Sequence, residues 1–116
     1  MTANKAKSIC ILSGLPIPAG QKSKEHYVPR SRLPDAYKGD RNNIYYAIRI
    51  INNIKGNLLP CEWEENKYHI LTTALTYHLT TTQKKLIHRA IDNMKHYTID
   101  PCAYCILSTT AHCPER

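Results

Sequence analysis

The chain has 116 residues, 42% of them hydrophobic and 22% charged, with a formal charge of +7. That length fits one domain with a modest core, and no apolar run is long enough to span a bilayer. The positive charge points to a polyanionic partner, nucleic acid ahead of a lipid surface.

The opening stretch, MTANKAKSICILSG, has lysines followed by too few apolar residues for a secretory segment, so a cytoplasmic protein is expected. Five cysteines cannot all pair internally. Reduced thiols or a metal site are therefore expected rather than a disulfide framework. Eight tyrosines and no phenylalanine predict a core that is thin or partly wet, because tyrosine keeps its hydroxyl near water.

Turn residues punctuate the first half, at SGLPIPAGQ (13–21) and RLPDAYKGDR (32–41). Between them KEHYV (24–28) reads as one strand of a hairpin, and Ile44-Tyr45-Tyr46 suits its partner. Ile48, Ile51 and Ile54 then fall at helical spacing, and Gly56 stands where a helix stops. Further on, EWEENKYHILTTALTYHL (62–79) places Trp63, Ile70, Leu71, Ala74 and Leu75 on a helical pattern that its threonines weaken. The segment 80–97 is a stronger helix. Leu86, Ile87, Ala90, Ile91, Met94 and Tyr97 form one stripe, and Thr80 with Gln83 makes a capping box. Both stripes read as core, and Pro101 ends regular structure. The expected class is α+β: a small hairpin-and-helix unit followed by a helical extension.

Three short segments carry chemistry: EHYVP (25–29), NNIYYA (42–47) and INNIKG (51–56). Each alone is ordinary, since a lone histidine is usually a surface residue and asparagines cap turns and helices. Together, in this order and in a basic chain, they resemble the HNH endonuclease family with its ββα-metal unit. The resemblance covers about residues 10–57 of a single domain spanning 1–116, with 58–116 as the helical, cysteine-containing extension.

The resemblance implies hydrolysis of DNA phosphodiester bonds with one divalent ion. His26 would be the general base, since imidazole titrates near neutral pH. Glu25 and Asn52 would each offer an oxygen to the ion, and hard oxygen ligands with open positions suit Mg²⁺ or Mn²⁺. Asn43 would tie the hairpin loop and orient the imidazole. Asn42 and Asn53 stand one residue away from Asn43 and Asn52 and compete for those roles. Arg30, Arg32 and Lys55 are candidates for contacts to backbone phosphates. Duplex DNA is the preferred partner over RNA.

Many relatives of that family add a structural zinc held by two C-x-x-C pairs. Here the first pair is reduced to Cys10 and Ser13, and the second falls on Ile48 and Ile51, so isoleucine packing is expected in place of coordination. The tail offers another set, Cys102, Cys105 and Cys113, which with Cys10, Cys61 or a histidine could close a tetrahedral zinc site; the alternative is buried, reduced cysteine. The rival function is a basic module that binds nucleic acid without cutting it. A third reading is a small interaction protein whose charge meets an acidic protein partner.

Overall fold

A computed structural model describes residues 8–33, 35–38 and 41–100. Strand β1 (Lys22–His26) pairs antiparallel with β2 (Ile44–Ile48), with Lys22 opposite Ile48 and His26 opposite Ile44. Helix α1 (Arg49–Lys55) follows β2 directly, and α2 (Pro60–Ala74) and α3 (Thr81–Asn93) complete a small mixed α+β fold. No helix among the described residues is long and apolar enough to cross a membrane.

The element order follows the sequence pattern, and the boundaries move for physical reasons. β1 ends at His26 instead of Val28, because the N–H and C=O of Val28 are taken by the Asn43 side chain instead of a neighbouring strand. α1 stops at Gly56, whose φ of 57° suits glycine and whose N–H still reaches the carbonyl of Asn52 at 3.2 Å. α2 starts on Pro60, which needs no hydrogen bond at that position. It ends at Ala74, short of the Leu79 that the periodicity allows. Near that end the hydroxyls of Thr72 and Thr76 bond back to the carbonyls of Tyr68 and Thr73, each at 2.7 Å, a local alternative that weakens helix propagation. The capping box of α3 forms as its sequence predicts: Gln83 N–H donates to Thr80 Oγ1 at 3.1 Å, and Thr80 N–H to Gln83 Oε1 at 2.9 Å.

The hydrophobic interior lies between the hairpin, α2 and α3. Trp63 of α2 is fully buried, and its indole N–H donates to the Leu12 carbonyl at 3.2 Å. Leu71, Ala74, Leu86, Ile87, Ala90 and Met94 pack in the same cluster, so both helical stripes are core. The tyrosine-rich composition contributes through Tyr27 and Tyr45, whose rings meet edge to face with centroids 5.8 Å apart.

The N-terminal turn is bound on two sides. Ile11 N–H joins the edge of β2 at the Tyr46 carbonyl, 2.9 Å away. From the end of α3, Asn93 Nδ2 donates to the Ser13 carbonyl and the Tyr97 hydroxyl to the Ile11 carbonyl, both at 2.7 Å. Gly14 has φ of 76°, and the Tyr97 ring occupies the space a Cβ would need there. Only glycine satisfies both conditions.

Candidate functional site

The alternation of β1 divides its side chains between two faces. Ser23 and Glu25 turn inward toward α1, and Lys22, Lys24 and His26 turn outward. Burial follows this division: Glu25 is 5% exposed, whereas Lys22 and Lys24 are exposed and His26 is partly covered.

On the inner side, α1 delivers two residues one turn apart, Asn52 and Lys55, to adjacent points of β1. Asn52 Nδ2 donates to Ser23 Oγ at 3.0 Å and to the Lys24 carbonyl at 3.1 Å. A carbonyl can only accept, so the amide nitrogen must face it and Oδ1 is turned the other way. The Lys24 carbonyl belongs to the peptide bond that leads into Glu25, so Asn52 and Glu25 are neighbours. Lys55 Nζ lies 3.2 Å from Glu25 Oε2, with the two side chains 0% and 6% exposed. Burial pushes the Glu25 carboxyl up to about 7, further than the Lys55 ammonium pulls it down.

Asn43, at the foot of β2, faces the residues just beyond His26. Its Oδ1 accepts from Val28 N–H and its Nδ2 donates to the Val28 carbonyl, both at 2.8 Å and buried. A third bond, Tyr27 N–H to the Asn43 carbonyl at 3.1 Å, completes the clamp. The sixteen positions between His26 and Asn43 are thus closed at their base, and Val28 is held beside Leu33 and Leu59 in a second small apolar cluster. The side chain of Asn42 lies outside the described residues. Asn53, the neighbour of Asn52, is exposed and lines a groove with Ile54, His69 and Tyr77, away from the hairpin contacts made by Asn52.

His26 ends β1 on the outer face. Partial burial, then the nearby charges of Arg30 and Lys24, hold its imidazole below the ordinary histidine range. It is therefore predominantly neutral at neutral pH, the form that accepts a proton.

The three expected phosphate contacts take three different positions. Arg30 is exposed at the start of a short 3-10 turn, Arg30–Arg32. Arg32 forms an ion pair with Glu62 of α2 and is partly covered. Lys55 is enclosed against Glu25 and offers no surface charge in this arrangement. The outer face supplies cations that the motif reading passed over. Lys22 and Lys24 flank Tyr46 of β2, with Lys22 Nζ 4.7 Å from the ring centroid, and Arg49 Nη2 donates to the Lys22 carbonyl at 3.3 Å. The signal was present in the alternation K-S-K-E-H, which puts two lysines and the histidine on one side of a strand.

The resemblance implies two oxygen donors for a divalent ion, the Glu25 carboxylate and Asn52 Oδ1; here the carboxylate faces Lys55, and Asn52 turns its amide nitrogen toward β1. That donor set fits Mg²⁺ or Mn²⁺ chemistry, in which one or two protein oxygens are completed by water and phosphate. Among the described residues no group of three His, Cys, Asp or Glu side chains could hold a metal. At the degenerate zinc position, Cys10, Ile48 and Ile51 are fully buried in one cluster, and Ile48 N–H donates to Cys10 Sγ at 3.3 Å. Burial raises the Cys10 thiol above its ordinary range. Cys102, Cys105 and Cys113 lie outside the described residues. Compared with family models, curated proteins and solved structures, the chain matches none of them.

Proposed function

We propose that this protein is a metal-dependent endonuclease of the HNH type, acting on DNA. The observation that carries this reading is the hydrogen bond from Asn52 of α1 to the Lys24 carbonyl, one residue before Glu25, with Asn43 clamping the loop that begins beside His26. In the proposed reaction His26 takes a proton from the attacking water, and its neutral state at neutral pH suits that task. Glu25 and Asn52 would hold the ion, Mg²⁺ or Mn²⁺, which would supply Lewis-acid stabilisation of the phosphate charge. Asn43 positions the strand end that carries His26. Lys22, Lys24, Arg30 and Arg49 line the approach of the backbone, and their charge makes binding salt-dependent. We place the protein in the cytoplasm, where Cys10 and Cys61 stay reduced.

The buried Lys55–Glu25 pair favours a second reading, a basic module that binds nucleic acid and does not cut it. Supercoiled plasmid with Mg²⁺ or Mn²⁺ separates the two. Cleavage predicts nicked and linear products that disappear in His26→Ala while DNA binding persists. Binding with no metal-dependent change in plasmid form, or equal cleavage by wild type and His26→Ala, defeats the catalytic reading.

A further inference from the structure

The buried interface between β1 and α1 already contains a positive charge. Lys55 Nζ stands 3.2 Å from a carboxylate oxygen of Glu25, and neither side chain has appreciable contact with solvent. An ion bound to Glu25 at a typical distance of about 2 Å would lie within roughly 5 Å of that ammonium. Water screens little at such a buried position, so the repulsion between the two cations is strong. Asn52 and Lys55 also sit one turn apart on α1, so an ion held by the first meets the charge of the second across the same short stretch of helix.

We propose that Lys55 is the resident cation of this interface, and that a divalent ion reaches Glu25 only in competition with its ammonium group. The inference rests on the reading of Glu25 as a metal ligand. Lys55 then sets how tightly the free protein holds metal, and its charge keeps α1 attached to the hairpin when no ion is bound. Removing the charge while keeping the stem strengthens metal binding, whereas removing a merely structural contact weakens it.

Calorimetric titration of Mn²⁺ into the full chain at about pH 8, where proton competition at a carboxylate is small, tests this with four proteins. Lys55→Met tightens Mn²⁺ binding by about tenfold or more, Lys55→Arg leaves it near wild type, and Glu25→Gln abolishes it. If Lys55→Met unfolds, as reported by the single tryptophan, Lys55→Gln takes its place with the same expectation. Glu25-dependent binding in wild type that is unchanged or weaker in the neutral Lys55 variant overturns the competition and leaves the metal-ligand reading intact. Absence of Glu25-dependent Mn²⁺ binding in every protein overturns both.

Discussion

Asn43 makes two hydrogen bonds of 2.8 Å to a single residue, Val28, one to its N–H and one to its carbonyl. A side-chain amide here does what a third strand would do, pairing both polar groups of a backbone unit that has left the ladder. The loop it closes begins directly after His26, the last residue of β1, so the clamp links the loop's stability to the position of the imidazole.

Asn43→Ala leaves a buried N–H and C=O without that partner and is expected to destabilise the fold by about 2 kcal/mol. Urea titration followed by Trp63 fluorescence measures the loss, and amide exchange at Val28 should accelerate beyond the global change. A Val28 amide as protected as in wild type would show that the clamp contributes little.

Glu25 makes stability depend on pH in a defined direction. Its folded pKa, about 7, is raised above the ordinary carboxylate value of 4.5. The folded state therefore binds its proton more tightly than the unfolded state. The contribution is fully present below about pH 4.5 and is lost as pH rises through about 7. His26, with a lowered folded pKa, has the opposite slope, since its contribution is gained as pH rises through the histidine range. The difference between wild type and Glu25→Gln removes the His26 effect. That difference should shrink steadily from acid to neutral pH, and parallel stability curves for the two proteins would contradict the assignment.

Gly14→Ala is expected to cost more than about 1 kcal/mol, since alanine dislikes a positive φ and its Cβ meets the Tyr97 ring. The two causes are separable. In a Tyr97→Ala background the clash with the ring disappears while the backbone part and the Asn93 Nδ2 contact remain, so the double-mutant cycle should show coupling. Additive losses would place the cost in the backbone and the Asn93 contact instead of the ring.

Arg30 and Arg32 should differ in their contribution to nucleic-acid binding. Arg30 is exposed, while Arg32 is shared with Glu62. Fluorescence anisotropy across a salt series should show Arg30→Ala lowering the salt slope by about one, with a smaller change for Arg32→Ala. Lys22→Ala and Lys24→Ala should behave like Arg30→Ala. Equal slopes for all variants would put the binding surface elsewhere.

Much of this arrangement was legible in the residues in order. Alternation and helical spacing located both strands and three helices, and Gly56 and the Thr80–Gln83 box located two helix ends. These features depend on neighbours within a few positions, where backbone propensity and side-chain period act directly. The burial of Lys55 against Glu25, the pairing of Arg32 with Glu62 and the use of Val28 as a partner for Asn43 were not legible in that way. Each joins residues fifteen or more positions apart. Whether a lysine meets a phosphate or a buried carboxylate depends on which surfaces the chain brings together and which water is excluded, and only the packed structure decides that.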